Sequence, residues 1–482
     1  MPSRYRRRAT AALIAALTIT LSAPLAAQAG AEDGPALPDL DSASSLEPRG
    51  GAESSRFRPL ESAPAASARS GSSDVAPLAA SVPEAVSEIF ILEALSTRAR
   101  IQWSAPSDGG SPITGYHLQL LQGDSVIDEV VWTEPMLGVS LLELMPDTAY
   151  AFRVAAVNAE GTGEFSAAVD FTTAHSSVER IYGADRYETA AAVSADAFPF
   201  SGLTAAFVAN GRNFPDALSA AAAAGALDGP VLLTPANALA PATAAEVAAL
   251  APQYVVVAGG PAVVGDAVLN QLTPLATTEA FRVGGRNRYD TAGQMSGFWE
   301  SPSTVYLANG TNYPDALAGA AAAGFTDAPV LLTTRDVLPA DTIAALQFHQ
   351  PTRIIALGGT GSINDSVLKK ARLSTGVSTT TTRLSGLTRY DTAAEVSRAT
   401  FVTPRVPIVY VASGLHFADG LAGAAAGGSL GGPMLLTKPA EMPPSVIAEI
   451  QRLDPVRVVV LGGPAVVSEG VAAQISDALA QD

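Results

Sequence analysis

Two arginines, a tyrosine and a threonine recur three times at one fixed spacing. The pattern Arg-x-x-Gly-x-x-Arg-Tyr-[Glu/Asp]-Thr-Ala starts at Arg180, Arg282 and Arg383, and its second arginine is Arg186, Arg288 or Arg389. Each pattern is followed by a polar loop: Asn213 and Asp216 in "NGRNFPDAL", Asn312 and Asp315 in "NGTNYPDAL", His416 and Asp419 in "SGLHFADGL". A guanidinium offers a planar fork of donors that matches phosphate or carboxylate, so the repeated arginines point to anion recognition. The competing reading is an internal ion pair within each unit, Arg186 with Asp216, Arg288 with Asp315, Arg389 with Asp419. Such a pair would order the loop and touch no ligand.

Composition narrows the chemistry. The chain has 482 residues and no cysteine, which removes disulfides, a thiol nucleophile and Cys-ligated zinc. The four histidines are His117, His175, His349 and His416; none stands two or four residues from another, so no metal site is expected. The repeated Gly-Gly turns are not a Gly-x-Gly-x-x-Gly fingerprint and no Walker lysine accompanies them, so no cofactor is expected. No base, nucleophile or metal set recurs beside the three aspartates. The array reads as a binding device rather than an enzyme, with a hidden wall-modifying hydrolase as the rival. A net charge of -17 argues against nucleic acid, which needs a basic footprint.

The elements that must position these residues alternate regularly. Each unit holds a first apolar run ("TAAFVA", "TVYLA", "IVYVA"), the polar loop, an alanine-rich helix, and a second run ("GPVLLT", "APVLLT", "GPMLLT"). A helix, a third run ending in Gly-Gly ("YVVVAGG", "RIIALGG", "RVVVLGG") and a last helix complete it. Short, continuous apolar strands between helices predict parallel sheets covered on both faces. The units are placed at 178–274, 277–373 and 379–482, and three copies in one chain suggest pseudo-trimer packing. Ligands of open α/β sheets bind beyond the carboxyl ends of the strands, which would gather Asn210, Asn213, Asp216 and Gly259-Gly260 on one rim.

The rest of the chain is different in kind. Residues 1–29 read as a signal peptide: a basic start, an apolar segment and the small-residue "AQA" before the cut. Residues 30–80 are rich in Ala, Ser and Pro and read as a disordered linker. No later segment reads as a membrane span. Residues 81–174 alternate in short strands, predicting a β-sandwich. "LELMPDTAYAFRVAAVNAEG" resembles a fibronectin type III domain: Leu144, Pro146, Thr148 and Tyr150 match its tyrosine-corner motif, and Trp103 matches its core tryptophan. No Arg-Gly-Asp is present. The module reads as a spacer or interaction domain.

The Arg-Tyr-x-Thr-Ala start, the Asn-[Phe/Tyr]-Pro-Asp-Ala-Leu loop, the Pro-x-Leu-Leu-Thr strand and the Gly-Gly turn together resemble the cell-wall-binding repeat 2 family. That resemblance implies three Rossmann-like units interlocked as a trimeric disc. It also implies non-covalent anchoring of an exported surface protein to anionic wall polymers of Gram-positive bacteria, secondary polysaccharide or teichoic-acid-like. The polymer-contact candidates are Arg180, Arg186, Asn213, Asp216, Arg282, Arg288, Asn312, Asp315, Arg383, Arg389, His416 and Asp419. The third loop departs from the pattern at His416, Ala418 and Gly420. Because the chain is acidic, contact with a polyanion must be local, through arginines and helix N-termini or through bridging divalent cations. An adhesin role for the fibronectin-like module is the other alternative.

Overall fold

The computed structural model describes residues 56–60 and 80–480, with the backbone of residues 47–48. The expected signal peptide and most of the expected linker lie outside the described residues. Two compact units are present, divided at the boundary between Ser177 and Val178.

The first unit is a β-sandwich. Strands β1 (Phe57–Pro59), β2 (Ile89–Ala94), β3 (Ala99–Trp103), β4 (Gly115–Gln122), β5 (Ser125–Trp132), β6 (Gly138–Leu141), β7 (Ala149–Asn158), β8 (Gly161–Thr162) and β9 (Val169–Thr172) form two sheets. The sheet orders are β1-β6-β3-β2 and β9-β7-β4-β5, with β8 paired to β7. Trp103 is buried between them, its ring 5.3 Å from Tyr116 and 5.9 Å from Phe152. The Tyr150 hydroxyl accepts a hydrogen bond from the Met145 amide at 3.0 Å, closing the tyrosine corner. One expectation needs correcting. Phe57–Pro59 falls in the segment assigned to the linker, yet it pairs antiparallel with β6 and buries Phe57 completely. Phe57 and Leu60 supply enough apolar surface to seat five residues, which a composition averaged over fifty residues conceals.

The second unit contains the repeats. Its elements are β10 (Ser177–Ile181), α1 (Arg186–Ala197), β11 (Ala205–Asn210), α2 (Pro215–Ala226), β12 (Val231–Thr234), α3 (Pro241–Leu250), β13 (Tyr254–Ala258) and α4 (Asp266–Leu272). They continue as β14 (Glu279–Val283), α5 (Arg288–Met295), β15 (Thr304–Asn309), α6 (Pro314–Phe325), β16 (Val330–Thr333), α7 (Ala340–His349), β17 (Arg353–Leu357) and α8 (Asp365–Ser374). The last are β18 (Thr380–Leu384), α9 (Arg389–Thr400), β19 (Ile408–Ser413), α10 (Ala418–Leu430), β20 (Met434–Thr437), α11 (Pro444–Leu453), β21 (Arg457–Leu461) and α12 (Glu469–Leu479). The central strands β11, β15 and β19 are buried along almost their whole length, as a sheet covered on both faces requires.

Strand order shows how the repeats join. The three sheets are β12-β11-β13-β14, β16-β15-β17-β18 and β20-β19-β21-β10. The strand carrying the first arginine of a repeat therefore completes the sheet of the preceding repeat. β14 runs parallel to β13, β18 runs parallel to β17, and β10 joins β21 at the far end of the chain. The unit boundaries at 277 and 379 consequently cut across sheets. A sequence repeat has no intrinsic phase, and its period does not reveal which sheet a strand enters.

The alanine-rich helices α2, α6 and α10 pack against one another, one from each repeat. They are buried on all faces because their side chains are too small to hold neighbours apart. A Cβ on Gly225 would lie 3.2 Å from the Gly428 Cα and 3.3 Å from the Gly324 Cα, so three glycines meet where the helices cross. At the other end, the Phe214, Tyr313 and Phe417 rings are separated pairwise by 5.7, 5.8 and 5.7 Å. The three rings thus form a triangle of near-equal edges, one corner from each repeat.

Candidate anion-binding clefts at the repeat joints

The first arginine of each motif is consumed by the joint. Arg282 donates to the Gly259 carbonyl at 2.7 Å and to Asp266 at 2.9 Å. Arg383 does the same with Gly358 and Asp365, both at 2.8 Å. Arg180 reaches the Gly462 and Val467 carbonyls at 2.8 Å and pairs with Glu469 at 3.2 Å. These arginines tie the incoming strand to the Gly-Gly turn of the sheet it joins, and little of each guanidinium faces solvent.

The second arginine opens a helix. Asp185, Asn287 and Thr388 cap α1, α5 and α9 through hydrogen bonds to first-turn amides, so the motif runs from strand to capped helix in a few residues. Arg186, Arg288 and Arg389 then fold back within their own repeat. Each donates one nitrogen to the carbonyl of the glycine that follows the first apolar strand: Gly211 at 2.6 Å, Gly310 at 2.5 Å and Gly414 at 2.6 Å. A side chain on Gly211 would strike Tyr187 and Arg186, which accounts for glycine there.

The competing reading, an ion pair within each unit, is not what forms. Among the described residues, Asp216, Asp315 and Asp419 form no ion pair. The guanidinium acting on each comes from another repeat, Arg288 on Asp216, Arg389 on Asp315 and Arg186 on Asp419, where His416 of the same loop adds to it. The displaced strand is the cause, because it carries the next motif across the mouth of the preceding sheet. Burial pushes all three carboxyls above the usual carboxylate range, against these opposing charges. Asp216 is 6 % exposed, and its buried Oδ1 has no hydrogen-bond partner. Gly259, Gly358 and Gly462 adopt φ of +102°, +90° and +94°, and a Cβ on any of them would run into the neighbouring aspartate.

At the first joint these groups line a cleft of about 350 Å³. Asn213, Pro215, Asp216 and Gly260–Val263 come from the first repeat, and Gly285–Arg288 and Thr291 from the second. Helix α2 starts here, with Pro215 in its first turn and no side-chain cap. Its free amides and the guanidinium of Arg288 give an acidic protein a local positive site. Arg286, on the rim, is engaged by Asp290 and Asp341 at 3.1 and 2.8 Å.

The structure brings Asn213, Asp216 and Arg288 together, and it places Asp315 near Arg389 and Asp419 near Arg186 and His416. Asn312 and His416 occupy the exposed loop position of Asn213. Arg180, Arg282 and Arg383 lie at the joints but are committed to backbone carbonyls. Asn210 and Asn309 hold the Gly-Gly loop through the Val263 and Ser362 carbonyls at 2.5 and 2.7 Å. Sequence reasoning placed Thr291 and its counterparts Thr189 and Thr392 in the motif but not among the site candidates; their hydroxyls accept from the motif glycines at 3.0 to 3.1 Å. Their recurrence two residues after the tyrosine was the available signal. It also missed Ser362, which puts a buried hydroxyl beside Asp315.

These repeats define the class. The family described as Cell wall binding domain 2 matches residues 180–269, 282–368 and 383–472, and fibronectin type III matches residues 84–172. The wall-binding matches span more than half of the chain, and the chain belongs to the cell wall binding domain 2 family. It is similar to N-acetylmuramoyl-L-alanine amidase LytC of Bacillus subtilis, 30% identical over 52% of this chain and 48% of the relative. It also resembles the amidase enhancer of the same organism, 28% identical over 55% of this chain and 35% of that one. The chain thus spans half or less of these relatives. Among solved structures, Cwp6 from Clostridium difficile shares the fold with TM-score 0.60 at 20% identity, covering 81% of this chain and 68% of that one. Cwp8 from the same organism gives 0.57 at 20%, covering 76% and 64%. The chain is a cell-wall-associated surface protein whose recognised domains are wall-binding and fibronectin type III. Among the described residues, no helix is long and apolar enough to cross a membrane.

Proposed function

We propose that the three joints are polymer sites and that the chain is a secreted protein held non-covalently on an anionic wall glycopolymer, a secondary polysaccharide or a teichoic-acid-like chain. The repeats serve as a pseudo-trimeric anchor, with the fibronectin type III module as spacer or interaction domain, and no step of catalysis is assigned to them. One observation carries this reading. Arg288 spends one nitrogen on a backbone carbonyl and, among the described residues, forms no ion pair, while it lines a cleft that also holds an uncapped helix N-terminus. Arg186 and Arg389 repeat the bond to a backbone carbonyl, α6 and α10 likewise start without a side-chain cap, and Asn213, Asn312 and His416 are exposed on the three loops.

The test is retention of the chain on purified wall sacculi before and after chemical removal of the secondary polymers. Retention is expected to disappear on stripping. Replacing Arg186, Arg288 and Arg389 together by Lys keeps the charge but loses the fork, and should weaken binding by at least tenfold, since a charge-assisted hydrogen bond contributes about 1.5–3 kcal/mol. Unchanged retention on stripped sacculi would redirect the reading to peptidoglycan.

A further inference from the structure

The aspartate at each joint is the wrong charge for a polyanion, and the neighbouring guanidinium offsets the cost of its burial only in part. Asp216 is nearly inaccessible, lines the cleft, and leaves Oδ1 without a partner. A buried carboxylate oxygen without a donor is costly. A protonated carboxyl at the same place has a donor to offer, and an anion lodged between it and Arg288 would supply the acceptor. The charged groups lining this cleft are Asp216, Arg288 and Arg286, and Arg286 is already held by Asp290 and Asp341. Asn213, Asn287 and Thr291 complete the polar lining. Asp315 faces Arg389, Ser362 and Thr392, and Asp419 faces Arg186 and His416.

Resting on the wall-anchor reading, we propose that Asp216, Asp315 and Asp419 make anion binding proton-linked: each takes one proton from solvent as the anion enters and donates it as an O–H···O hydrogen bond to the bound phosphate or carboxylate. The guanidinium of the following repeat holds the other side of the anion. Burial has already moved these carboxyls toward the protonated form, and an incoming negative charge moves them further. The sign follows from linkage. The bound state carries more protons than the free state, so affinity rises as pH falls through the interval between the free and bound pKa values. Full coupling of one proton gives up to tenfold per pH unit at each site within that interval.

The experiment measures binding of the full chain to sacculi from pH 8 to pH 5, for the natural protein and for Asp216→Asn/Asp315→Asn/Asp419→Asn. Asparagine is neutral at every pH and keeps an N–H donor. Wild type should bind more tightly as pH falls, and the asparagine variant should bind at pH 8 about as well as wild type at pH 5, with a flat profile. Thermal melting of both confirms that the fold survives, and a single Asp216→Asn variant serves if the triple variant does not fold. Sacculi that retain both proteins with the same pH profile would overturn the proton linkage and leave the anchor intact. Retention by neither protein at any pH would remove the anchor reading and this inference with it.

Discussion

The first two joints and the third are built to one plan under different constraints. β14 and β18 arrive at their sheets directly from the repeat before, whereas β10 must find β21 from the other end of the repeat array. Three equivalent positions show the consequence. At the first joint they are Tyr254, Phe281 and Phe298, an apolar contact with the Tyr254 and Phe281 rings 6.3 Å apart. At the second they are Arg353, Thr382 and Ala399, which no ion pair or ring contact among the described residues joins. At the closing joint they are Arg457, Glu179 and Asp196, and Arg457 binds Glu179 through two nitrogens at 3.0 and 2.9 Å and Asp196 at 3.1 Å. A buried ionic network adds little net stability over an apolar one, but it tolerates only its own partners. The joint with no neighbour in sequence to guide it is thus the one with the most selective contact.

Breaking that network should produce the largest effect. Arg457→Met leaves two acids in a site where each is only about a tenth exposed, and about 3–5 kcal/mol of stability should be lost. Urea unfolding should show a lower midpoint, with the loss removed largely by adding Glu179→Gln and Asp196→Asn. If Arg457→Met melts like the natural protein, the closing strand is held by its backbone pairing alone.

The second prediction concerns the interior of the middle repeat. Ser194 and Ser397 donate to Glu246 and Glu449, both at 2.6 Å, but the equivalent Ser296 meets His349 at 2.8 Å. The Ser296 hydroxyl also reaches the Gly293 carbonyl at 2.6 Å, and the buried imidazole lies against the Glu300 backbone. Burial pushes the imidazole down to about 4. The unfolded chain therefore binds the extra proton between about pH 6.5 and 4, and stability falls through that window and levels off below it. The expected loss is at most about 3 kcal/mol, and His349→Gln should remove this component from a pH series of thermal melts. Identical slopes for the two proteins would exclude it.

The sequence made the elements legible because apolar runs, alanine-rich helices and capping residues are local signals. It made the rim legible because Asn213, Asp216 and the Gly-Gly turn all follow strands in the order the fold rule needs. It could not reveal that Arg288 rather than Arg186 faces Asp216. Both assignments satisfy the same repeat, and only strand pairing between repeats separates them. The role of Arg180, Arg282 and Arg383 in the joints was hidden for a related reason: a recurring arginine signals a recurring need, and here they bond the carbonyls of the Gly-Gly turns. The Phe57 strand was hidden by its surroundings, since one aromatic in a Ser- and Pro-rich stretch leaves no periodic trace.

The smallest expected effect tests whether the second joint is simply unspecialised. Arg353 is exposed and Thr382 half-buried, on adjacent parallel strands two register positions apart, the same diagonal that separates Tyr254 from Phe281. Arg353→Tyr with Thr382→Phe would copy the aromatic contact of the first joint. Cross-strand aromatic pairs contribute roughly 0.2–1 kcal/mol, and no buried charge is stranded by the change. The urea midpoint should therefore rise slightly with an unchanged denaturant slope. A fall would mean that Arg353 or Thr382 supports the joint through a contact the first joint does not need, and the three joints would then differ in more than the chemistry of one corner. A rise would show that selectivity is required only where the chain does not deliver the strand itself.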